Sequence, residues 1–543
     1  MRDPRAARAR PVLLLLAWAG ARTSRAAQAS EDETCTPPPE EAWTSKYAAM
    51  HGAALDHLTL TETKRKGRAL LTTRAIHEDE DVLAIPLDAC ITSTSAAAHR
   101  GGPANVVLHG RVGDGAAQAL TESVDAAIAL HILHVLNEKN ATASQQWFKL
   151  IPGTIRTVMA LAPTELEELQ GSNVIAFREQ VSAAWWSLHE RVVVPLTKGD
   201  PGTFPPHAFA QTRFFWAMRA VWSRAVDASV VGSGGRTLRA LCPLVDMINH
   251  DVARPVDAVV ERGILKLINR GPPVLAGAEV SVSYGPRSST ATALVYGFVE
   301  DGNANDAVDI LLETGASAAG TPLAARRDAL LRRAGVLASA SDNDAAALET
   351  PRLLVSGVDP LLVLTARIRV ATAEELDDAE ARANASPKGA RALLDAPVWR
   401  AGTQNDARAR VVLLDAIDAL LRRYRGGGPD DDAAQLAVLG DADPGMALAI
   451  ALRMSEKRVL HASLDHVRGA FSAKGAAAAC RARFADDEAR KRCKKLSKSG
   501  APWPGPDAPR VDVKFRKDTT EARRASEGVG VRILGDGIGI SQS

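Results

Sequence analysis

The stretch LVDMINH, residues 244–250, decides how this chain is interpreted, because the polar pair Asn249-His250 follows directly on an apolar segment. The apolar residues 241–245 predict a short strand. Further along, residues 279–283 alternate apolar and polar side chains and predict a second strand, which is followed by Tyr284-Gly285. An Asn-His pair alone indicates a turn with a structural histidine. The Tyr-Gly pair after the second strand makes a shared functional site the better interpretation.

The pattern continues with Tyr296-Gly297-Phe298, and the three motifs together resemble those of the SET-domain methyltransferases. Within that family, the most similar branch is the one typified by the Rubisco large-subunit lysine methyltransferase. Two further segments are similar to this branch: Gly67-Arg68-Ala69-Leu70 resembles its opening glycine motif, and residues 453–460 resemble a recurring piece of its C-terminal domain. The resemblance covers roughly residues 45–470 and is most specific over residues 241–300.

The predicted elements follow the order strands, helices, strands, helices. A chain of 543 residues exceeds what one hydrophobic core usually holds, so two or more domains are expected. The resemblance implies an α+β fold, in which a β-rich SET domain with knot-like C-terminal threading is interrupted by a helical insertion and followed by an all-α domain. The predicted boundaries are a signal peptide at 1–29, a linker at 30–45, the SET domain at 46–300 with its insertion at about 100–235, a helical substrate-binding domain at 301–475, and a basic, largely disordered tail at 476–543.

The resemblance implies a protein N-methyltransferase that takes a methyl group from S-adenosylmethionine (AdoMet) and transfers it to a lysine of another protein. Histidine is a second candidate acceptor, because the family includes histidine-methylating members. Such a transfer is an in-line displacement, in which positioning of the reactants can contribute about 7–11 kcal/mol. The reaction needs no metal, and the sequence has no Cys-x-x-Cys pair that would predict a zinc site.

The resemblance also implies roles for individual residues. Tyr284 and Tyr296 are the predicted catalytic residues, and the Tyr284 hydroxyl would orient the incoming amine. Tyr296 and Phe298 would line a narrow substrate channel, where desolvation lowers the pKa of a lysine amine. The predicted cofactor-binding residues are Lys66, Gly67, Arg68, Ser223, Arg224, Asp246, Asn249, His250 and Tyr284.

Three positions depart from the family pattern. Ala69 replaces a second glycine, Ser289 replaces an asparagine, and Ala291 occupies the place of an acidic residue. The alanine matters because a Cβ limits how closely the backbone approaches a cofactor. These changes leave an alternative open, namely a catalytically weak or inactive module that keeps the SET fold and binds proteins.

The bulk composition excludes some classes of function. A net charge of +2 gives no general case for binding nucleic acid, and the basic cluster near Lys494 lacks the interleaved aromatic residues that stack on bases. No segment beyond the N-terminal region is long and apolar enough to predict a membrane span. The resemblance implies a lysine-bearing protein substrate as the partner, and the chain is expected to be a monomer.

The N-terminus has the features of a secretory signal peptide: a basic start, the apolar run at 12–19 and the small residues Ala27-Gln28-Ala29. The predicted localisation is the secretory pathway, with a plastid reached by the secretory route as the alternative. Five cysteines are too few and too scattered to predict a disulfide framework. Cys480 and Cys493 could pair in a secreted chain, and free thiols are the alternative.

Overall fold

The computed structural model describes residues 57–63, 67–110, 112, 115–139, 143–314, 320–333, 351–385, 401, 403–469 and 529–532. The predicted signal peptide and linker lie outside the described residues, as do Lys66, Cys480, Cys493 and nearly all of the predicted tail.

The N-terminal half of the chain contains two sheets. Their strands are β1 (Leu58–Thr63), β2 (Gly67–Thr72), β3 (Asp81–Pro86), β4 (Ile91–Thr92), β5 (Val226–Val230), β6 (Thr237–Leu241), β7 (Asn249–His250), β8 (Val256–Glu261), β9 (Ile264–Asn269) and β10 (Glu279–Val282). The smaller sheet has the order β1-β2-β10-β7 and the larger one has the order β3-β9-β8-β5-β6-β4. β10 and β7 pair in parallel, so the ends of both strands lie at one edge of the smaller sheet.

A block of helices lies between β4 and β5. Its members are α1 (Ser93–Ala98), α2 (Pro103–Leu108), α3 (Ala116–Thr121), α4 (Val124–Asn137), α5 (Ala143–Phe148), α6 (Pro163–Leu166), α7 (Val174–Leu188), α8 (Val194–Gly199) and α9 (Gln211–Arg224). α4 is apolar around most of its circumference, as expected of a helix buried on nearly all sides, and it packs against α9. The insertion was predicted at about 100–235, whereas the helices run from 93 to 224 and the following glycine-rich segment is the turn of the β5–β6 hairpin.

The C-terminal region was predicted to be all-α; it is predominantly helical, but it also contains a small sheet. α10 (Ser289–Val295) follows the two sheets. After it come β11 (Ala307–Asp309), β12 (Leu311–Thr314), α11 (Pro322–Arg333), β13 (Arg352–Leu354), β14 (Gly357–Val358), α12 (Pro360–Arg369), α13 (Ala373–Ala385), α14 (Gln404–Leu421), α15 (Pro429–Leu439), α16 (Pro444–Gly469) and β15 (Val529–Arg532). The sheet has the order β11-β13-β14, and β12 pairs separately with β15. The predicted α+β class is confirmed.

α16 joins the two halves of the molecule through their cores. Leu448 and Leu452, in its first half, belong to the core of the N-terminal region, whereas Val459 and Leu460 belong to the core built around α14. A single 26-residue helix therefore packs into both cores and holds them against each other. Among the described residues, no helix combines the length and the apolar character that crossing a membrane requires.

Cys90 and Cys242 form a disulfide that connects residues 152 positions apart in the sequence. Both cysteines are fully buried, one before β4 and the other after β6, two strands that pair antiparallel. The scattered spacing had given no reason to expect this bond, because residues so distant in sequence become neighbours only through the sheet. The disulfide lies four positions before Asp246, and it fixes the start of the segment that carries the Asn-His pair.

Buried polar groups also lie between the two halves. The Glu456 carboxylate, on α16, accepts hydrogen bonds from Ser172 at 2.8 Å and from Thr290 at 2.9 Å, both in the N-terminal half. It also accepts one from the Tyr424 hydroxyl at 3.0 Å, in the C-terminal half. Burial raises the pKa of Glu456 to about 7 in spite of these three donors. A single carboxyl group therefore connects the C-terminal half to the N-terminal half.

Candidate active site

The parallel pairing of β7 with β10 brings the two sequence motifs together. Asn249 lies opposite Ser281, and His250 lies opposite Val282. The backbone N–H of Tyr284 donates to Nδ1 of His250 at 3.0 Å, which connects the Asn-His pair directly to the Tyr-Gly pair. Burial lowers the pKa of His250, and the imidazole is therefore neutral near neutral pH, with Nδ1 free to accept this bond.

Asn249 connects this edge of the sheet to the opening motif. Its Nδ2 donates to the backbone carbonyl of Arg68 and to Oε1 of Glu279, both at 2.9 Å. The Arg68 guanidinium in turn donates to the carbonyl of Leu150 at 2.5 Å, in the helical insertion. Two segments that are distant in sequence thus meet at one asparagine side chain, and Arg68 connects them to the helical insertion.

A buried pair of opposite charges lies beside these strands. Nη1 of Arg224, the last residue of α9, donates to the backbone carbonyl of Asp246 at 2.7 Å and lies 3.8 Å from Oδ2 of the same residue. Trp147 donates its indole N–H to that oxygen at 3.2 Å. Burial raises the pKa of the Asp246 carboxyl, and the charge of Arg224 opposes this rise.

Two polar atoms of this pair have no hydrogen-bond partner. They are Nε of Arg224, a donor, and Oδ1 of Asp246, an acceptor, and both are buried. Buried polar atoms are nearly always satisfied, so two unsatisfied atoms of opposite character in one place require an explanation. A donor and an acceptor side by side match the carboxylate and the ammonium group of an amino acid. The methionine end of AdoMet has both groups, and the residues therefore fit this cofactor.

Four aromatic rings form a wall next to the polar pair. The rings of Tyr284 and Tyr296 are 4.6 Å apart, and those of His250 and Phe298 are 5.5 Å apart. Phe298 also lies 6.1 Å from Tyr296, so the rings form one continuous surface. Its apolar character suits a channel that excludes water from an entering side chain.

The Tyr284 hydroxyl is held in one position. It donates to the backbone carbonyl of Ile248 at 2.6 Å, and burial raises its pKa well above the usual range. The phenol therefore stays protonated at physiological pH, and it acts by position and hydrogen bonding rather than as a base.

Gly297, between two of the aromatic residues, is required by the local geometry. Its φ is +81°, and a Cβ at this position would lie 1.7 Å from the carbonyl oxygen of Arg156. The close approach of these two backbone segments fixes the directions of Tyr296 and Phe298, on either side of the glycine.

The predicted site residues are distributed as follows. Those that the structure describes lie around β2, β7 and β10, except Ser223. The Ser223 hydroxyl donates to the carbonyl of Arg219 within its own helix, at 2.9 Å. The cofactor-binding role of Ser223 stays a prediction, as does that of Lys66, which lies outside the described residues. Sequence reasoning missed Trp147 and Glu279, because neither belongs to a motif. Trp147 meets Asp246 from 99 positions away.

The chain has measurable similarity to known proteins in both halves. The profile of the family described as Rubisco LSMT substrate-binding matches residues 318–460. An actin-histidine N-methyltransferase from Canis lupus familiaris is 25% identical over 423 residues, which cover 76% of this chain and 67% of that protein. The human protein of the same name is 26% identical over 299 residues, covering 54% of this chain and 47% of the relative.

The solved structures that resemble this chain establish its fold. The SET domain of LSMT bound to MeLysine and AdoHcy superposes with a TM-score of 0.60 at 17% identity, over 80% of this chain and 92% of that one. Rubisco LSMT bound to AdoMet superposes with a TM-score of 0.59, with the same identity and coverage. The chain thus combines a fold similar to that of the LSMT SET domain with a match to the Rubisco LSMT substrate-binding family over residues 318–460.

Proposed function

We propose that this chain is an AdoMet-dependent protein N-methyltransferase that methylates a lysine side chain. The observation that carries the proposal is the anchored hydroxyl of Tyr284. It lies in a wall of aromatic rings, beside a buried Arg224–Asp246 pair with an unsatisfied donor and an unsatisfied acceptor. Structures with the same fold have been solved with AdoMet and, in another case, with MeLysine and AdoHcy.

The residues that would hold the cofactor are the ones that already converge. AdoMet supplies, when bound, an electrophilic methyl group on a sulfonium centre. Arg224 is suited to the carboxylate, because a guanidinium binds carboxylates with well-defined geometry. Asp246 is suited to the ammonium group. Asn249 keeps the Gly67–Arg68 segment against β7 through the Arg68 carbonyl, so that the backbone on both sides forms one continuous binding surface.

The substrate side depends on the aromatic wall. A free lysine amine has a pKa of about 10.4 and must lose its proton before it can attack. The rings of Tyr296 and Phe298 would replace water around the amine and thereby lower its pKa. The Tyr284 hydroxyl donates its proton to the backbone carbonyl of Ile248 and still has lone pairs on its oxygen. The oxygen can therefore accept a hydrogen bond from the neutral amine and orient that amine.

Histidine is the second candidate acceptor, and it is favoured by the names of the sequence relatives, which are actin-histidine N-methyltransferases. An imidazole has an unperturbed pKa of about 6.5 and is largely neutral at physiological pH. It therefore needs no help from desolvation to become a nucleophile. The identity of the methylated amino acid distinguishes the two candidates.

The direct test is transfer from radiolabelled AdoMet to proteins of the organism's own lysate. We expect one or a few labelled proteins, with the label recovered as methyl-lysine after hydrolysis. Recovery as methyl-histidine would replace the lysine proposal by the histidine one. Tyr284→Phe should lower the transfer rate by about 100-fold, because losing the orienting hydroxyl misplaces the amine. The exposed His77→Ala variant is the matched control and should keep full activity.

A protein-binding module is the outcome that this test must exclude. Calorimetry should show AdoMet binding that is strongly weakened in Asn249→Ala, because the side chain joins two walls of the site. If the chain shows no AdoMet binding and no methyl transfer, it is an inactive module. Binding without transfer to any protein would refute the proposed catalysis while leaving the cofactor assignment intact.

We also propose that the chain is targeted to the secretory pathway and works as a monomer. The buried Cys90–Cys242 disulfide supports an oxidising compartment, because such bonds persist there and are rare in the reducing cytosol. Imaging of a tagged copy in its native cell tests the localisation, with a plastid reached by the secretory route as the alternative. Light scattering on the purified chain tests the oligomeric state.

A further inference from the structure

A cluster of three potential metal ligands lies in the helical insertion, at the C-terminal ends of α1 and α4. These two helices carry none of the candidate active-site residues. His99 follows α1 directly, His134 lies in the last turn of α4, and Glu138 follows α4. One ligand atom of each residue lies within 4.8 Å of the corresponding atoms of the other two. Nothing in the proposed methyl transfer uses these residues.

The distances are close to those of a metal site. Oε1 of Glu138 is 3.7 Å from Nε2 of His134 and 4.0 Å from Nε2 of His99. Ligands at about 2.0–2.1 Å from a tetrahedral Zn²⁺ ion are separated from one another by about 3.4 Å. A contraction of roughly 0.3–0.6 Å in these two distances, within the range of a rotamer adjustment, reaches that geometry.

The spacing within α4 explains only one of the two contacts. Residues four apart on a helix are neighbours, and the His134–Glu138 pair alone is therefore an ordinary helical pair. His99 belongs to a different element, 35 positions earlier in the sequence, and its imidazole still lies within reach of the same carboxylate oxygen. The convergence of a third ligand from another element is what a bound cation requires.

The surroundings restrict the two imidazoles and the end of α4 that carries Glu138. A Cβ on Gly102 would lie 2.8 Å from Cδ2 of His99, so this glycine leaves the space that the imidazole occupies. The buried Gln145 donates to the backbone carbonyl of Glu138 at 2.9 Å and fixes the end of α4. The ring of His134 packs against Phe204 at 5.7 Å. The two imidazoles and the backbone of Glu138 are therefore positioned before an ion binds.

We propose that His99, His134 and Glu138 bind one Zn²⁺ ion, with water in the fourth position. Two imidazoles and a carboxylate form a ligand set that zinc accepts. The ion would neutralise the Glu138 carboxylate and connect the end of α1 to the end of α4. Because the insertion supplies Arg224 and Trp147 to the candidate active site, a metal here would stabilise the block that carries them.

Zinc titration of the full-length chain tests the proposal. We expect one Zn²⁺ per chain, measured by competition with a chromophoric chelator, and a melting temperature that rises with the Zn²⁺ concentration. Co²⁺ at the same site should give the visible absorption bands of a tetrahedral complex. His134→Ala and the milder Glu138→Gln should each weaken Zn²⁺ binding by at least about tenfold. The exposed His77→Ala variant should bind like the unmodified chain.

The controls separate loss of a ligand from loss of the fold. Circular dichroism of each variant without metal must match that of the unmodified chain, and Glu138→Gln retains the shape of the side chain if the alanine variant unfolds. Zinc binding equal in all four proteins would refute the site, since it would arise from exposed histidines elsewhere. The absence of stoichiometric binding to the unmodified chain would refute it as well.

Discussion

Opposite charges are buried in two regions of the molecule, and the distances between the charged groups differ between the two. At the junction with the substrate-binding region, Asp432 is bound by Arg453 at 2.6 Å and by Lys457 at 2.9 Å. Lys457 also donates to the carbonyls of Arg425 and Gly427, at 2.7 and 2.9 Å. In the candidate active site, by contrast, Nη1 of Arg224 remains 3.8 Å from Oδ2 of Asp246.

The difference separates a structural cluster from a binding site. Charges that are removed from water need partners in good geometry, and the Asp432 cluster provides them within the protein. The Arg224–Asp246 pair is also buried, but its charged groups are farther apart, and they lie in the candidate site, where a bound molecule can supply further partners. Removing a charge should therefore damage folding at the first region and cofactor binding at the second.

The largest effect is expected from Asp432→Ala. The substitution leaves Arg453 and Lys457 buried without their shared anion, and it should lower the free energy of unfolding by about 3–5 kcal/mol. Urea denaturation measures this loss. The exposed neighbour Asp430→Ala should change it by less than about 0.5 kcal/mol. Equal stability of the two variants would remove the distinction between the regions.

The buried Glu456 carboxyl should make stability depend on pH. Its pKa rises on folding from 4.5 to about 7, so the folded state binds the proton more tightly than the unfolded state. This contribution is fully present below pH 4.5 and is lost as pH rises towards 7, by about 3 kcal/mol in total. Denaturation at pH 5 and pH 8 should show a smaller change in Glu456→Gln than in the unmodified chain. The exposed Glu78→Gln variant should retain the full change.

Asp246→Asn should affect the ligand more than the fold. The amide keeps an acceptor for Trp147 but removes the charge that faces Arg224, and AdoMet should bind about 10–100-fold more weakly. Calorimetry on a variant that has been shown to be folded measures the change in AdoMet affinity. Asp257→Asn, at an exposed position of β8, is the control and should leave the affinity unaltered. An unchanged affinity in Asp246→Asn would place the cofactor elsewhere.

The smallest effect concerns Ala69, the position at which the family pattern has a glycine. Its side chain is fully buried in β2, opposite Thr61 of β1. Ala69→Gly should therefore cost about 0.5–1 kcal/mol of stability and change the AdoMet affinity by less than about threefold. A gain in affinity of tenfold or more would show instead that the methyl group obstructs the cofactor.

Local patterns were sufficient for much of the fold and for singling out residues that lie together at the strand ends. The alternation over residues 279–283 predicted the strand that ends next to Tyr284, and apolar residues at three- and four-residue spacing predicted the helical block that contains α4. The limits of the insertion were less accurate, because a glycine-rich segment ends a helix and closes a hairpin equally well. The small sheet β11-β13-β14 was missed, since two to three residues per strand carry no periodic signal.

The sequence by itself determined the order of the elements and the identities of the polar residues at the strand ends, because both depend on neighbours within a few positions. Only the tertiary structure decided which distant residues meet. Trp147 reaches Asp246, Cys90 reaches Cys242, and His99 reaches Glu138 across a helical block. Such contacts depend on how sheets and helices pack, and no local pattern in the chain encodes that geometry.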